Sequence, residues 1–189
     1  MLEEIDWEQQ WADHAPGFKD GLAHIPLPSG EEIVLLPGPG FGDYSHPTTR
    51  LVIELMEPYI PSHTVFDIGC GSGILSLAAA KMGANRLHCT DIDPDALIHT
   101  KKNILMSGDP SLFSFDKPKE KPIVLMNMIT SEQQNAWKVH KLPFNLLITS
   151  GILATQKEEY LDFAIAQNWD LVKIREREGW LGCIFQESH

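Results

Sequence analysis

An acidic residue and three alternating glycines form the segment with the clearest chemistry: Asp67 is followed by Gly69, Gly71 and Gly73. The residues before it are apolar and β-prone and those after it are helix formers, which predicts a strand, a tight turn and a helix. Glycine lets the backbone approach a ligand closely, and the start of a helix offers N–H groups and a positive dipole end. A second acid, Asp91, ends the next predicted strand. The pattern therefore predicts a site for a nucleotide-like cofactor.

The carboxyl group of Asp67 distinguishes between possible cofactors. A dinucleotide would bring a pyrophosphate to the turn, which a carboxylate repels, whereas S-adenosylmethionine brings an ammonium and a sulfonium, which it attracts. The glycine spacing also departs from the dinucleotide pattern, which would need Gly or Ala where Ile74 or Ser76 stands. Asp91, with Ile92 beside it, suits the ribose of either cofactor. S-adenosylmethionine is favoured; an NAD-dependent reductase and a ligand-free corner are the alternatives.

Asn127 follows a short apolar strand, at the edge where parallel sheets place their ligands. Its amide oxygen can accept an N–H from an incoming amine, and the backbone carbonyl of Met128 can accept a second. Methyl transfer from a sulfonium needs an aligned lone pair and exclusion of water. Asn127 and Met128 are therefore the catalytic candidates, and a plain turn residue is the alternative reading of Asn127.

Strands and helices alternate through most of the chain, which predicts an α/β fold with a mostly parallel sheet covered on both faces. The predicted strands are Thr64–Ile68, Arg86–Thr90, Leu112–Phe115, Ile123–Met126 and Phe144–Thr149. The helices between them are Ser72–Met82, Pro94–Met106, Ser131–His140 and Thr155–Gln167. A final hairpin, Asp170–Arg177 with Trp180–Gln186, makes one edge antiparallel, and Trp180 is expected to pack under it.

The first part of the chain predicts a covering segment for this core. It contains a helix at Trp7–Asp13, a hairpin of Leu22–Pro28 and Glu31–Leu36, and a helix from His46 to about Tyr59. We therefore divide the chain into residues 1–60, which carry the helix, the hairpin and the segment over the cofactor, and residues 61–189, the catalytic core. Together they are expected to form one compact domain.

Composition excludes several other functions. The formal net charge of −11 argues against a broad nucleic-acid surface and suits a basic protein partner. Cys70, Cys89 and Cys183 form no C-x-x-C pair and the histidines show no ligand spacing, so no metal is expected. No apolar run is long enough for a membrane span, and Met1–Glu4 is acidic rather than basic, so neither a signal peptide nor an anchor is expected. These features predict a cytoplasmic protein.

Five segments taken together resemble the PrmA family, whose members methylate amino groups of ribosomal protein L11 with S-adenosylmethionine. The segments are Pro37–Thr49, Asp67–Leu75, Asp91–Pro94, Asn127–Ile129 and Ser150–Ala154. The resemblance runs from Trp7 to about Gln186. Many methyltransferases share the D-x-G-x-G-x-G part, whereas the F-G-…-H-P-T-T segment is more specific.

The resemblance implies a fold, an activity and a set of site residues. The fold is the seven-stranded, Rossmann-like class I methyltransferase fold with one antiparallel edge strand, and the activity is N-methylation of a protein, at lysine or at the amino terminus. The residues that it implies at the cofactor or its pocket are Thr49, Gly69, Asp91 and Asn127. The residues in the loop over the methyl-transfer face are Phe41 and Gly42, expected at the substrate, and His46, expected at the cofactor or as a helix cap.

The sequence also departs from the family. The family loop usually reads F-G-T-G-T-H-P-T-T, and Asp43–Tyr44–Ser45 replace its middle here, which could change the acceptor. The stretch from Asn127 to Ser150 is shorter than in the family, and members usually carry a separate N-terminal domain that recruits the ribosomal protein. Two alternatives therefore stay open: a small-molecule or RNA methyltransferase on the same fold, and a non-catalytic cofactor-binding subunit that needs a partner.

Overall fold

The fold was analysed in a computed structural model that describes residues 5–188. Met1–Glu4, on which the prediction about a signal peptide rests, lie outside the described residues. The chain begins with helix α1 (Trp7–His14), which starts where the Asp6 carboxylate accepts a hydrogen bond from the backbone N–H of Gln9. A small antiparallel sheet of β1 (Phe18–Lys19), β2 (Leu22–Pro26) and β3 (Glu32–Leu35) follows, so the predicted hairpin is confirmed and gains one two-residue strand.

A seven-stranded sheet forms the centre of the molecule. Its strands are β4 (Thr64–Ile68), β5 (Arg86–Thr90), β6 (Phe113–Ser114), β7 (Ile123–Asn127), β8 (Leu146–Leu153), β9 (Trp169–Arg177) and β10 (Trp180–Glu187). The order across the sheet is β6-β5-β4-β7-β8-β10-β9. Strands β4 to β8 pair in parallel, and β10 runs antiparallel between β8 and the outer strand β9. The predicted mostly parallel sheet, with its antiparallel hairpin at one edge, is confirmed.

Helices cover both faces of the sheet. They are α2 (Pro47–Met56), α3 (Ile74–Lys81), α4 (Pro94–Ser107), α5 (Thr130–His140) and α6 (Lys157–Ala166). Strands β4 and β7 are buried along their whole length, because both of their faces are covered. Alternate residues of β4 enter different hydrophobic clusters: Val65 belongs to one and Phe66 and Ile68 to the other. The cluster that contains Val65 also contains residues of α1, β2 and β3, so these N-terminal elements pack into the same core.

Several predicted boundaries differ from the structure: β6 is shorter than the predicted Leu112–Phe115, α2 ends at Met56 rather than near Tyr59, and strand β8 differs most. The sequence predicted Phe144–Thr149, but the strand begins at Leu146 and continues to Leu153. Its last residues stay extended because they pair with the start of β10, where Leu181 and Gly182 form an irregularity in the register. A pairing partner that lies so far along the chain leaves no local signal. Within residues 5–188, no helix is both long enough and apolar enough to cross a bilayer.

Candidate active site

A cavity of about 910 Å³ lies at the carboxyl ends of β4, β5 and β7, the edge at which open α/β sheets bind ligands. The predicted site residues that line it are Phe41, His46, Gly69, Gly71, Asp91, Ile92, Asn127 and Met128. The predicted site residues that do not line it are Gly42, Thr49, Asp67 and Gly73. Asp43 and Tyr44, the departures from the family loop, are also absent from its lining. The structure thus brings most of the predicted residues together around one space.

The glycine turn between β4 and α3 is held by the protein itself. Every backbone N–H from Gly69 to Ile74 already has a protein acceptor: these include the carbonyl of Thr90, the carboxylate of Asp91 at 2.9 Å from the Gly71 nitrogen, and the carbonyl of Phe41. A pyrophosphate needs such N–H groups free. The turn therefore provides shape rather than hydrogen-bond donors, which opposes the dinucleotide alternative.

The loop that carries Phe41 packs directly on this turn. Gly71 has φ +56°, and a Cβ there would lie 2.5 Å from the Phe41 carbonyl oxygen. The next loop residue, Gly42, accepts a hydrogen bond from the Ser72 hydroxyl at 2.7 Å. Gly42 therefore fastens the loop to the turn, while the side chain of Phe41, which is 55% exposed, remains at the cavity.

The charged groups at the cavity are acidic. Asp91, Asp93 and Glu132 line it, and none of the lining residues is Lys or Arg within the part of the chain that the structure describes. Ile92 is fully exposed at the same edge, where it offers an apolar surface to a flat ring. A cation with an aromatic group attached matches these two features.

Asp67 lies behind the turn and not in the cavity. Its side chain is buried, with one oxygen accepting a hydrogen bond from the Ser76 hydroxyl at 2.6 Å and the other without a partner. Burial raises the pKa of this carboxyl to about 7. The structure does not bring Asp67 into contact with the cavity, because alternate strand side chains face opposite sides and Asp67 points under α3. The negative charge at the cavity comes from other residues.

Asn127 ends β7 with its amide fixed in one orientation. Its Nδ2 donates to the Thr49 hydroxyl at 3.2 Å, and its Oδ1 is buried without a hydrogen-bond partner. Thr49 is fully buried behind Asn127, which explains why it does not line the cavity. An unpartnered acceptor is costly to bury, so this oxygen is suited to a donor that arrives with a ligand.

The backbone carbonyl of Met128 faces the protein. It accepts a hydrogen bond from Gln133 Nε2 at 2.7 Å, and a Cβ on Gly151 would lie 2.1 Å from it. The sequence predicted this carbonyl as a second acceptor for the amine; the structure instead directs it at Gln133, because the loop after β7 turns back over β8. Met128 meets the glycine turn through its side chain, whose Cε would be 2.4 Å from a Cβ on Gly69.

Gln133 holds the loop after β7 in place, and sequence reasoning missed it. It is fully buried, and its Nε2 also donates to the Ser150 carbonyl at 2.9 Å. Its Oε1 accepts from the hydroxyls of Thr149 at 2.6 Å and Tyr160 at 2.5 Å. A glutamine in an amphipathic helix normally indicates a solvated face, so the sequence carries no signal for this role.

Three aromatic rings form one rim of the cavity. The His46 ring lies 5.8 Å from Phe41 and 5.0 Å from Trp180, measured between centroids. His46 also caps α2, where its Nδ1 accepts from the Thr48 backbone N–H at 3.4 Å. Burial, and then the positive charge of Arg50, lower the pKa of His46. The expectation for Trp180 was wrong: its side chain borders the cavity, because β10 begins beside the end of β8.

A sequence model described as ribosomal protein L11 methyltransferase (PrmA) matches residues 1–188. The chain belongs to the PrmA family. Curated proteins named ribosomal protein L11 methyltransferase, from Pasteurella multocida (strain Pm70) and Vibrio vulnificus (strain CMCP6), are 32% and 34% identical to it. The alignments cover 95% and 86% of this chain, and 67% and 61% of those proteins. This PrmA-family chain therefore spans about two thirds of their length or slightly less.

Solved structures are similar over the same region. A crystal structure of a ribosomal protein L11 methylase from Lactobacillus delbrueckii subsp. bulgaricus gives a TM-score of 0.74 at 25% identity, covering 95% of this chain and 93% of that one. Magnesium protoporphyrin IX methyltransferase from Synechocystis PCC 6803, solved with S-adenosylmethionine bound, shares the fold at a TM-score of 0.53 and 17% identity, covering 72% of this chain and 74% of that one. The PrmA-family chain is a methyltransferase, and the predicted cofactor, S-adenosylmethionine, is confirmed.

The PrmA-family cavity fits this cofactor on its own chemistry. The turn has no free N–H for a phosphate, the ionisable side chains of the lining are acids or histidines, and an exposed isoleucine is available for the adenine ring. The residues suited to hold the cofactor are Gly69, Gly71, Asp91 and Ile92. When bound, S-adenosylmethionine supplies an electrophilic methyl group on a sulfonium.

Proposed function

We propose that this chain methylates an amino nitrogen of a protein, and that a ribosomal protein of the L11 type is its acceptor. The observation that carries the proposal is the buried Asn127 Oδ1, which has no partner in the protein and belongs to a residue that lines the cavity. An amine has the N–H groups that such an oxygen needs, whereas a carboxylate or thiolate acceptor has none. The names of the relatives supply the acceptor class.

The acceptor nitrogen must be neutral before it can attack. For a lysine with a reference pKa of ~10.4, deprotonation at pH 7 costs roughly 4.6 kcal/mol. Entry into a cavity that also holds a sulfonium disfavours the ammonium form and offsets part of this cost. His46 adds no charge at neutral pH, because its pKa is lowered by burial. Loss of the proton to water before the nitrogen enters is therefore consistent with the lining.

Asn127 then orients the neutral amine. Its Oδ1 accepts one N–H, which directs the nitrogen lone pair along the remaining axis toward the methyl carbon. Thr49 keeps the amide from rotating by accepting from Nδ2. Phe41, His46 and Trp180 close the rim and exclude water from the acceptor side. In this assignment Asn127 is the catalytic residue, and Thr49 and Gln133 are positioning residues. A cytoplasmic location, where ribosomal proteins are made, belongs to the same proposal.

The proposal is tested by incubating the protein with S-adenosylmethionine and purified ribosomal protein L11, and measuring the mass of L11 and of its peptides. We expect L11 to gain the mass of one or more methyl groups on an amino nitrogen. Asn127→Ala should lose at least about 100-fold in kcat while its affinity for S-adenosylhomocysteine, measured by calorimetry, changes by less than about threefold. Gln10→Ala, an exposed change on α1 at a residue that lines neither the cavity nor its surroundings, is the control.

Two outcomes would contradict the proposal. One is an Asn127→Ala variant that methylates L11 at the wild-type rate. The other is an L11 that stays unmodified while radioactive methyl from labelled cofactor enters cell-extract material that resists protease and is removed by nuclease. Cofactor binding without transfer to any component of the extract would instead support the non-catalytic subunit.

A further inference from the structure

A second, smaller cavity adjoins the first on the side away from the glycine turn. Its volume is about 270 Å³, and it shares Ile129, Gly151 and Trp180 with the larger cavity. It lies where β8 ends, β10 begins and helices α5 and α6 start. This volume suits one long side chain and is too small for a second cofactor.

Ile129, which follows Asn127 and Met128 in the loop after β7, lines both cavities. The surfaces suited to the cofactor belong to β4 and β5, whereas the second cavity belongs to β8, β10 and α6. An acceptor nitrogen at Asn127 Oδ1 is part of a polypeptide that must continue outward. With a cofactor on the β4–β5 side, the border that the two cavities share gives the acceptor chain a route outward past the second cavity.

The lining of the second cavity selects for one kind of side chain. Glu159 is its only ionisable residue among the residues that the structure describes. Ile129 and Leu153 add apolar surface that is 51% and 40% exposed, suited to a methylene stem. The hydroxyls and amides that complete the lining belong to Thr130, Ser131, Gln134 and Gln156. An apolar wall beside one carboxylate and several polar groups fits an aliphatic chain that ends in a cation.

We propose that the second cavity receives a lysine or arginine side chain of the acceptor polypeptide, close in sequence to the methylated residue, and that Glu159 pairs with its charge. The proposal rests on the proposed function and adds a selection rule to it: the acceptor site has a basic neighbour. The charge balance supports the rule, since the chain carries a formal net charge of −11 and the lining of both cavities contains acids and no Lys or Arg within residues 5–188.

Helix α6 provides a matched pair of variants for the test. Glu158 and Glu159 are neighbours in its first turn and both are exposed, but only Glu159 lines the cavity. Glu159→Lys and Glu158→Lys therefore change net charge and helix-dipole interactions equally. With L11 as acceptor, we expect Glu159→Lys to raise KM for L11 about tenfold and Glu158→Lys to change it less than twofold. The affinity for S-adenosylhomocysteine should be unchanged in both.

A second measurement identifies the acceptor residue that enters the cavity. Each Lys or Arg within three residues of the methylated position in L11 is changed to Gln and assayed with the wild-type enzyme and with Glu159→Gln. One of these acceptor variants should raise KM with the wild-type enzyme and have no further effect with Glu159→Gln, because the pair is already broken.

Two results would overturn the inference. One is an equal increase in KM for L11 with Glu159→Lys and Glu158→Lys. The other is that every acceptor substitution raises KM by the same factor with Glu159→Gln as with the wild-type enzyme. Failure of the proposed function has a different signature, since L11 would then stay unmethylated by the wild-type enzyme. In that case the Glu159 and Glu158 variants are assayed on the protein that the extract experiment labels. Equal rates on that protein also reject the basic-neighbour rule.

Discussion

The two sides of the active-site cavity are built in different ways. On the cofactor side, the backbone of the Gly69–Gly73 turn forms the surface. Its shape requires residues without side chains, because a Cβ at Gly71 would collide with the Phe41 carbonyl. On the acceptor side, side chains form the surface, and its shape depends on hydrogen bonds that Gln133 makes to two carbonyls. The cofactor side is therefore sensitive to substitutions that add side-chain atoms, and the acceptor side is sensitive to substitutions that remove hydrogen-bond partners.

This difference has a consequence for function. On the cofactor side, every backbone N–H group of the turn from Gly69 to Ile74 has an acceptor within the protein, so the shape of the turn does not depend on a ligand to satisfy these groups. Behind the turn, Asp67 Oδ1 is buried without a partner, but Asp67 does not line the cavity; on the acceptor side the unpartnered atom, Asn127 Oδ1, belongs to a lining residue. The stabilised side suits recognition of an invariant cofactor, and the incompletely satisfied side suits interaction with a reacting amine. Variants on the two sides should therefore fail in different measurements.

The largest effect is expected from Gly71→Ala on the cofactor side. The new methyl would force a backbone shift against Phe41 and hold an L-residue at φ +56°. The two costs together are roughly 2–5 kcal/mol, so affinity for S-adenosylhomocysteine should fall by a factor between about 30 and several thousand by calorimetry. Gly30→Ala is the control. Gly30 has φ +85° and no atom within 4 Å of an added Cβ, so this substitution introduces backbone strain without a collision. Equal affinity loss in both variants would contradict the collision argument.

Gly151→Ala should break the acceptor side instead. Its Cβ would lie 2.1 Å from the Met128 carbonyl oxygen, so the loop that carries Asn127 must move. We expect kcat to fall about 30-fold while the affinity for S-adenosylhomocysteine stays within about threefold of the wild-type value, because the hydrogen bonds that hold the glycine turn do not involve Met128 or Gly151. Gly179→Ala, with φ +79° and open space around it, controls for backbone strain in β-structure. A larger loss of cofactor affinity than of kcat would show that the two sides are not independent.

The cofactor side could be predicted from the sequence in some detail. The bounds of β4 and β5 are those predicted, because their apolar runs end at turn residues that lie next to them in the chain. The glycines indicate the conformation of the turn from the local sequence alone. Asp91 could be placed for a similar reason, because it directly follows a predicted strand. Asp67 shows the limit of that reading: its position on the strand was right, but which side of the sheet its carboxyl faces depends on packing against α3.

The acceptor side could be predicted only in part. Asn127 was visible because it ends an apolar strand, but Gln133, Thr149 and Tyr160 meet only after α5, β8 and α6 have packed together. Trp180 reaches the cavity because β10 pairs with an extension of β8 that has no local pattern of its own. Contacts between residues that are distant in the chain determine this side, and a single sequence does not reveal them.

A smaller effect, still on the acceptor side, is expected from Gln133→Leu. The change leaves the Met128 and Ser150 carbonyls buried without their donor, at a cost of about 1–3 kcal/mol per group, and lets the loop shift. We expect kcat to fall about tenfold while KM for the cofactor changes less than twofold. Tyr160→Phe is the comparison, since it removes one donor to Gln133 Oε1 and leaves both Nε2 bonds. If Tyr160→Phe lowers kcat as much as Gln133→Leu, the role of Gln133 is general packing.

The smallest effect on binding is expected from Asp67→Asn, although this carboxyl first suggested the cofactor. Because Asp67 faces Ser76 rather than the cavity, its replacement should change affinity for S-adenosylhomocysteine by less than about threefold.

The stability of the Asp67→Asn variant should change more than its affinity for S-adenosylhomocysteine. Burial raises the folded-state pKa from its ordinary value of 3.8 to about 7, so between these pH values the folded protein binds a proton that the unfolded chain has lost, and wild-type stability falls as pH rises. The variant lacks this titration, so its unfolding free energy relative to wild type should rise by about 3 kcal/mol between pH 5 and pH 8, because the roughly two pH units between pH 5 and the folded-state pKa each contribute ~1.4 kcal/mol. Urea unfolding at the two pH values measures this difference. The prediction would be contradicted if the difference in unfolding free energy were the same at both pH values and affinity for S-adenosylhomocysteine fell tenfold. The Asp67 charge would then act on the cofactor, and backbone shape alone would not account for the cofactor side.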